Sequence, residues 1–333
     1  MKYRIKILAL VLVVLLISII IFMKIFSSNK EIEILSDNEN FFGVTFSRKY
    51  AEELGLDWKE VYLAILDDLK VKQIRLPIYW DDIEKEKGVY IYDDYDYLIN
   101  EGNKRNIEFI ISVGWRLPRW PECHSPAWTN QEKIVDIQDQ VLLMLERTIN
   151  RYKNNESIIS WQLENEPFLD FFGICPPSDE EFFKKELALL RSLDRRPVMV
   201  SGPGELNMWR KEAKYGDIFG TTMYRVVWNR WLGYTLYPIP PSFYRFKAWL
   251  VKIPPEKRII AELQAEPWVP QGKIVHLSKN EADYSFSLER FKSNLIYAKK
   301  TQFNKAYLWG AEWWYWQYLH GNQDFWELAR KLF

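Results

Sequence analysis

Histidine and cysteine are scarce in this chain, and their scarcity excludes several kinds of chemistry. The 333 residues contain three His and two Cys, and no Cys/His group has the spacing of metal ligands, so we expect no metal site. No glycine-rich phosphate loop follows the first predicted strand, where the chain reads Gly43-Val44-Thr45-Phe46. No serine elbow or Cys/His pair indicates a nucleophile for ester or amide cleavage. No cofactor is expected either.

An excess of charge of one sign is also missing. The chain has 45 basic and 45 acidic residues and no run of like charge, so a nucleic-acid partner is not expected. Aromatic residues, in contrast, are abundant. The sixteen Trp exceed what a core of this size needs, which indicates that something flat and polar stacks on some of them.

One long apolar run lies near the N-terminus. From Ile5 to Phe22 the chain is apolar apart from Lys6 and Ser18, which is long enough to span a bilayer. A cleaved signal peptide has a shorter apolar region, of roughly 7 to 15 residues, and small residues before the cut. Phe26-Ser27-Ser28-Asn29 offers no convincing site of that kind. The run therefore predicts an uncleaved transmembrane signal anchor.

The charges beside this run predict its orientation. Lys2 and Arg4 precede it, and such residues hold an N-terminus in the cytoplasm. The sequence thus predicts a transmembrane helix in residues 1–26, a polar tether in 27–40 and one catalytic domain in 41–333, placed outside the cytoplasm at the cell surface.

The remaining chain alternates strand-like and helical runs. The pattern forms eight strand–helix units, which predict an α/β fold of the (β/α)8 TIM barrel type. A doubly wound open sheet would also alternate, but it normally carries the phosphate loop that is missing here. The predicted strands are Phe42–Phe46, Gln73–Ile78, Glu108–Val113, Ile158–Leu163, Val198–Ser201, Ile218–Met223, Arg258–Leu263 and Lys305–Trp309. The predicted helices are Trp58–Leu69, Tyr95–Arg105, Val135–Tyr152, Asp179–Leu193, Phe243–Val251, Asp283–Lys300 and Asp324–Leu332.

Functional residues of a parallel barrel gather at the C-terminal ends of the strands. Five unusual residues fall at those ends: Arg75, Glu166, Tyr224, Glu262 and Trp309. We therefore expect them to converge at one mouth of the barrel.

Two of these residues carry carboxyl groups on separate strands, the minimal equipment for cleaving a glycosidic bond. Glu166 stands in an Asn-Glu-Pro triplet after the fourth strand, and Glu262 ends the apolar run of the seventh. Two neighbours compete for these roles. Glu266 becomes the nucleophile candidate if the seventh strand runs longer. Glu164 is a further candidate for catalysis, but it precedes Asn165 and is expected to point into or beside the barrel.

These motifs resemble those of clan A glycoside hydrolases over the whole predicted domain. Ile74-Arg75-Leu76-Pro77, Trp161 to Pro167, Thr221-Thr222-Met223-Tyr224 and Trp309 are similar to the cellulase and β-mannanase family, glycoside hydrolase family five. Trp161 to Glu166 and Glu262-Leu263-Gln264 are also similar to the β-galactosidases of the clan. The resemblance implies an acid/base after the fourth strand and a nucleophile after the seventh.

Chemistry assigns a role to each residue beside that resemblance. Glu166 must be protonated near neutral pH, so its pKa has to rise above the roughly 4.3 of a free Glu. Glu262 must attack the anomeric carbon, and Arg75 and Tyr224 are suited to hold it. Asn165 would contact the sugar 2-hydroxyl. A core salt bridge for Arg75 and a packed phenol for Tyr224 are the alternatives.

Softer signals come from aromatic and loop residues. The resemblance places Trp309 beneath the cleaved sugar, whereas Trp115 is either a sugar platform or a packing residue. His124 is a candidate for substrate binding, although its local pattern departs from that of the family. Cys123 and Cys175 lie on loops that would be neighbours, where they are either bridged or two unrelated thiols.

Together these features predict a retaining β-glycoside hydrolase that acts on a β-linked oligo- or polysaccharide. A transglycosylase with the same residues is one alternative. A non-catalytic, membrane-anchored carbohydrate-binding barrel is the other, although such proteins usually lose a carboxylate. The sequence leaves open the sugar, the linkage, endo or exo action and the oligomeric state.

Overall fold

The computed structural model describes residues 40–205 and 207–333. In this part of the chain eight parallel strands close into a barrel, which confirms the predicted α/β barrel. The barrel strands are β1 (Phe42–Thr45), β2 (Gln73–Pro77), β3 (Glu108–Val113), β4 (Ile158–Leu163), β5 (Val198–Gly202), β6 (Ile218–Met223), β9 (Arg258–Gln264) and β10 (Lys305–Trp309). Around the barrel they follow the order β1-β10-β9-β6-β5-β4-β3-β2.

All eight predicted strands are present, and none of their ends differs from the prediction by more than one residue. A short antiparallel hairpin between β6 and β9 was not predicted; its strands are β7 (Val226–Asn229) and β8 (Gly233–Leu236). It stands at the mouth of the barrel, because it follows the C-terminal end of β6 directly.

Helices follow the barrel strands along the chain. Their first turns are fixed by side-chain caps where the sequence provides them: Asp57 accepts from the Lys59 amide, and Asp179 accepts from the amides of Glu181 and Phe182. The helices are α1 (Arg48–Glu53), α2 (Trp58–Asp67), α3 (Trp80–Ile83), α4 (Asp93–Asn103), α5 (Ile134–Tyr152), α6 (Glu180–Leu193), α7 (Arg210–Tyr215), α8 (Pro241–Leu250), α9 (Lys279–Ser285), α10 (Leu288–Lys300), α11 (Ala311–Leu319) and α12 (Asp324–Ala329).

The predicted helix Asp283–Lys300 is two helices, α9 and α10. The break lies at Phe286, which is extended and fully buried, and Ser287 caps the second helix by accepting from the Arg290 amide. The Phe286 ring contacts Phe291 and Phe325. Burial of this ring therefore overrides the helical pattern.

Apolar side chains form two clusters. The large one lies between the strands and the surrounding helices. The small one consists of Ile110, Met199, Ile259, Ala261 and Tyr307, which come from four barrel strands. These residues fill the barrel interior below the mouth, so the polar side chains at the strand ends rest on a packed floor.

A β-bulge in β9 directs Glu262 into the site. Ile260 pairs with Thr221 of β6 and Glu262 pairs with the next residue, Thr222, so β9 holds one extra residue there. The same extra residue appears against β10. Bulges turn side chains that simple alternation would point elsewhere. Ala261 and Glu262, although consecutive, therefore both face the barrel interior.

No helix within residues 40–205 and 207–333 is long and apolar enough to cross a membrane. The predicted anchor from Ile5 to Phe22 lies outside the described residues, as does nearly all of the predicted tether.

Candidate active site

Glu262 is held by two donors on its two carboxyl oxygens. Nη1 of Arg75 lies 2.8 Å from Oε1, and the Tyr224 hydroxyl donates to Oε2 at 3.0 Å. Burial, followed by the charge of Glu262, raises the pKa of Tyr224 well above its ordinary value. The phenol therefore stays protonated and remains a donor at neutral pH. The structure brings together all three of these predicted residues.

Arg75 is fully buried and organises the floor of the site. Its Nε donates to Oε1 of Gln162 at 2.6 Å, and its Nη2 donates to Oδ1 of Asn165 at 2.9 Å. Asn165 Oδ1 also accepts from the Ser201 hydroxyl at 3.2 Å. These donors occupy the carbonyl end of the Asn165 amide, so its NH2 end is the part left to meet a substrate.

Glu166 lies where β4 has ended and the chain turns sharply. Its φ is 47°, an uncommon value for a residue other than glycine, and functional sites often hold such strain. The Ser201 hydroxyl accepts from its amide at 3.0 Å, and the Thr222 hydroxyl donates to its Oε1 at 2.9 Å. The end of β5 and the end of β6 thus fix the backbone and the carboxyl of this residue.

The pKa of Glu166 is raised to about 8, mainly by burial and then by the nearby charge of Glu262, against a lowering by the Thr222 hydrogen bond. Thr222 pairs directly with Glu262 across β6 and β9. The same threonine therefore contacts one carboxyl and stands beside the other. This geometry can supply a protonated acid and a carboxylate held for attack within one small site.

A third carboxyl, that of Glu122, lies at the same site. Its Oε2 accepts from Nδ2 of Asn165 at 3.2 Å and lies 3.8 Å from Nε of Arg116. Burial, and then the charges of Glu262 and Glu166 against that of Arg116, raise the pKa of Glu122 to about 8. Sequence reasoning missed this residue, because it stands in a loop of irregular path.

The two competing glutamates have other partners. Glu164 accepts from the amides of Trp115 and Arg116, both at 2.6 Å, and so anchors the loop after β3. A Cβ at Gly114 would lie 2.2 Å from Glu164 Oε1, so this close approach requires glycine. Glu266 pairs instead with Arg119 at 2.5 Å. These contacts favour structural roles for both glutamates.

Trp309 lies at the end of β10, as predicted, and is 7% exposed. The Arg119 guanidinium packs over its ring at 3.9 Å and over the Tyr50 ring at 3.4 Å. Arg119 is thus stacked on two aromatic rings while it pairs with Glu266, which fixes the Trp309 ring from a loop after β3. Arg119 is a second residue that sequence reasoning missed.

His124 and Trp115 lie close to the site but are occupied by packing. His124 Nε2 contacts the Arg119 carbonyl at 3.1 Å and its Nδ1 lies 3.4 Å from Lys49 Nζ. Burial and then the Lys49 charge lower the pKa of His124 to about 3, so the imidazole is neutral. Trp115 donates its ring N–H to Ser125 at 2.5 Å. Substrate binding by these two residues stays a prediction.

The loops after β3 and β4 are fastened together. Cys123 and Cys175 form a disulfide, with an S–S distance of 2.05 Å. Arg116 adds two hydrogen bonds at 2.8 Å, to the carbonyls of Leu169 and Phe172. The open question about the two thiols is therefore answered: a bridge joins the loop that carries Glu122 to the loop that follows Glu166.

Several polar residues inside the barrel were also missed, and a signal for them exists. Gln162, Ser112, Ser201 and Thr222 are buried polar residues within strands that are otherwise apolar. A polar side chain at an inward position costs free energy unless it has partners. Its presence near the end of a strand therefore indicates a site.

Within residues 40–205 and 207–333 no group of three or more His, Cys, Asp or Glu side chains could hold a metal ion.

Known proteins resemble this chain in sequence only weakly. No family model matches it. The β-galactosidase BgaA of Clostridium cellulovorans is 23% identical over 167 residues, which cover 44% of this chain and 25% of that protein. The chain thus spans about a quarter of the curated relative it matches.

Solved structures resemble it more broadly. Xylanase 10B from Thermotoga petrophila RKU-1, in complex with xylobiose, has a TM-score of 0.57 at 12% identity. The match covers 82% of this chain and 83% of the xylanase chain. The exo-β-1,4-mannosidase Op5Man5 from Opitutaceae bacterium strain TAV5 has a TM-score of 0.56 at 13% identity, covering 82% and 54%. A catalytic mutant of Gan42B, a GH42 β-galactosidase from G. stearothermophilus, has a TM-score of 0.56 at 11% identity, covering 83% and 51%.

These neighbours are named as a xylanase, an exo-β-1,4-mannosidase and a β-galactosidase, which are all glycoside hydrolases. The likeness confirms the barrel fold that the strand-end motifs led us to expect.

Proposed function

We propose that this protein is a retaining β-glycosidase that hydrolyses a β-linked oligo- or polysaccharide, with Glu166 as acid/base and Glu262 as nucleophile. The observation that carries the proposal is the arrangement of these two carboxyls around Thr222, one bonded to its hydroxyl and the other paired with it across the barrel strands. Each carboxyl has the environment that its role requires.

In the first step an oxygen of Glu262 attacks the anomeric carbon as the bond to the departing oxygen breaks. Arg75 and Tyr224 hold the Glu262 carboxylate for this attack. Glu166 transfers its proton to the departing oxygen, which leaves as an alcohol. A raised pKa keeps that proton on Glu166 near neutral pH.

In the second step Glu166 is ionised and accepts a proton from water. The water oxygen attacks the anomeric carbon, and the bond to Glu262 breaks, which restores both residues to their starting states. Two inversions at the anomeric carbon give net retention. Transglycosylation would follow the same path with a sugar hydroxyl in place of water.

Retention needs the two carboxyls at about 5 to 5.5 Å, whereas inversion needs about 6.5 to 9.5 Å to hold a water molecule between them. Glu262 and Thr222 stand on neighbouring strands, which lie about 4.8 Å apart in a sheet. Glu166 Oε1 is within hydrogen-bond distance of that threonine. These relationships support the shorter, retaining separation.

The substrate class rests on the neighbours and on the amide of Asn165. A β-galactosidase, an exo-β-1,4-mannosidase and a xylanase share the barrel, which favours a β-linked glycoside. The NH2 group of Asn165 donates one hydrogen to Glu122, which leaves the other for a contact with the sugar 2-hydroxyl. Trp309, whose ring stacks against Arg119, provides an aromatic surface at the end of β10.

For the location we propose the outer face of a membrane. The apolar run from Ile5 to Phe22 is the basis of this proposal. The bridge between Cys123 and Cys175 supports it, since disulfides persist mainly outside the reducing cytosol.

The test is hydrolysis of aryl β-glycosides and β-linked polysaccharides by the domain from residue 38 onward. Glu166→Ala and Glu262→Ala are assayed in parallel. Glu164→Ala is not a suitable control, because the Glu164 side chain anchors the loop after β3. Glu132→Ala, at an exposed pair with Lys87, is the matched control. Activity that is lost in both site variants and kept in the control supports the proposal. A folded domain that binds glycans but leaves every substrate intact contradicts it and favours a binding barrel.

A further inference from the structure

The mechanism above leaves one buried carboxyl of the site unused. Glu122 is 5% exposed, and its Oε2 accepts from Asn165 Nδ2. In the described part of the chain its Oε1 receives no hydrogen bond, and this oxygen is not sealed in the interior. One oxygen is therefore fixed by the protein while the other is open to a ligand.

The surroundings hold Glu122 firmly in this position. A Cβ at Gly173 would lie 2.8 Å from its Cβ and Cγ, so the loop after β4 packs directly on its stem. The adjacent Cys123 is bridged to Cys175 in the same loop. Arg116 lies 3.8 Å from Oε2. A side chain confined in this way can position a hydrogen bond with little further loss of freedom.

We propose that Glu122 recognises the 3-hydroxyl of the sugar that is cleaved. This inference rests on the proposed function, in which Asn165 contacts the 2-hydroxyl. Because Glu122 is the next group beyond the Asn165 amide, its open oxygen meets the next hydroxyl along the ring. The neighbouring 2- and 3-hydroxyls then contact two side chains that are hydrogen-bonded to each other. Asn165 contacts the 2-hydroxyl and Glu122 contacts the 3-hydroxyl.

This arrangement defines a substrate class. A sugar whose 3-oxygen carries another sugar would place that substituent against Glu122 and the loop that packs on it. The cleaved sugar must therefore have a free 3-hydroxyl, as in a terminal residue or a 1,4-linked chain. The interior of a 1,3-linked chain is excluded.

Burial favours the neutral form of Glu122, and the raised pKa agrees with this. Glutamine is then its close mimic, since its carbonyl can accept from Asn165 and its NH2 group can contact a hydroxyl oxygen. Leucine has a similar volume and no polar atom. The pair Glu122→Gln and Glu122→Leu thus separates hydrogen bonding from packing.

The experiment measures kcat/KM for the best 4-nitrophenyl β-glycoside and for its 2-deoxy and 3-deoxy counterparts. We expect Glu122→Leu to lose about 10- to 100-fold on the parent glycoside, the effect of leaving a buried polar group without its partner. On the 3-deoxy glycoside the loss shrinks to within about threefold. Glu122→Gln keeps most of the parent activity.

Glu212→Leu is the matched control. Glu212, on α7, is also a buried glutamate, and its carboxyl accepts from the side-chain amide of Asn207 at 2.6 Å. Its effect, if any, must be equal on all three glycosides. An equal loss by Glu122→Leu on the parent and 3-deoxy glycosides overturns the proposal. A loss by Glu122→Leu that shrinks on the 2-deoxy glycoside instead of the 3-deoxy glycoside also overturns it. The absence of any loss overturns it as well.

Binding separates this proposal from the proposed function. Affinities for a methyl β-glycoside and its 3-deoxy form are measured by calorimetry with Glu262→Ala, alone and combined with Glu122→Leu. If the wild type hydrolyses nothing, the glycosidase proposal fails, yet a preference for the 3-hydroxyl that disappears with Glu122→Leu still supports the role of Glu122. Equal affinities for the two glycosides refute that role even when hydrolysis is robust.

Discussion

Arg75 reaches Glu262 at 2.8 Å although their strands are not neighbours in the barrel. Two strands, β1 and β10, lie between β2 and β9. The guanidinium therefore crosses the barrel interior, and its other N–H groups bind Gln162 and Asn165 of the β4 side. One side chain thus connects the proposed nucleophile to the residue that precedes the proposed acid.

We expect Arg75→Lys to lower both activity and stability strongly. A lysine keeps the charge but lacks the planar fork that meets three acceptors, so buried acceptors would be left unpaired. Leaving a buried acceptor without its donor costs about 1 to 3 kcal/mol, and we expect a decrease of this order in the free energy of unfolding. Chemical denaturation and kcat/KM measure the two effects.

Arg105→Lys is the control for this substitution. Arg105 makes a two-pronged contact with Asp67 at the surface, at 2.6 and 2.8 Å. Exposed pairs contribute about 0 to 1 kcal/mol, so stability and activity should change little. Equal effects of the two substitutions would show that the Arg75 network has no special role.

The activity should fall as the pH rises through about 8, because Glu166 must be protonated in the first step and its pKa is raised to about 8. Thr222→Val removes a hydrogen bond that favours the ionised form. The pKa of Glu166 then rises further, and the alkaline limb of the kcat/KM profile moves to higher pH.

Thr148→Val serves as the comparison, since Thr148 is a buried residue of α5 whose hydroxyl lies 3.0 Å from the Tyr92 hydroxyl. Its pH profile should coincide with that of the wild type. An alkaline limb that stays in place or moves to lower pH in Thr222→Val would contradict the assignment of Glu166 as the acid.

Much of the barrel could be predicted from the sequence because its strands are short, apolar and regularly spaced. Arg75, Tyr224 and Glu262 were predicted to meet because strand ends of a parallel barrel converge, and they do. The β9 bulge, in contrast, depends on pairing with β6 and β10. No local pattern around Glu262 reveals it.

Loop residues of the site were beyond reach for a related reason. Glu122 and Arg119 reach the centre through a loop whose path is fixed by the bridge to Cys175, by Glu164 and by Arg116. Each of these contacts joins residues far apart in the chain. Local propensity contains no information on these contacts, so the sequence does not predict that Glu122 reaches the site.

The disulfide offers a third prediction, which concerns stability more than chemistry. Cys123 and Cys175 are 52 residues apart, and a bridge closing such a loop contributes about 4 kcal/mol by the chain-entropy model. The double variant Cys123→Ser/Cys175→Ser should lose stability of this order in denaturation experiments. Activity should fall less, because Arg116 still holds the loop after β4 to the loop after β3.

Reduction of the wild type is the control for that double variant. It breaks the same bond without changing any side chain outside the bridge, so both samples should unfold at the same denaturant concentration. A double variant as stable as the oxidised wild type would refute the predicted contribution of the bridge.

Azide distinguishes the two proposed roles by stereochemistry. In Glu262→Ala the missing carboxylate leaves space on the face from which the nucleophile attacks, so azide should displace a good leaving group there and give an α-glycosyl azide. In Glu166→Ala the covalent intermediate still forms on Glu262. Azide then attacks it from the opposite face and gives a β-glycosyl azide.

The product anomers are read by NMR, with aryl glycosides whose leaving group needs no proton. Glu266→Ala is the control for the nucleophile, because Glu266 pairs with Arg119 rather than with Arg75. It should yield no α-azide. If Glu266→Ala gives the α-azide and Glu262→Ala does not, the nucleophile lies four residues further along the chain and the roles of the two glutamates must be exchanged.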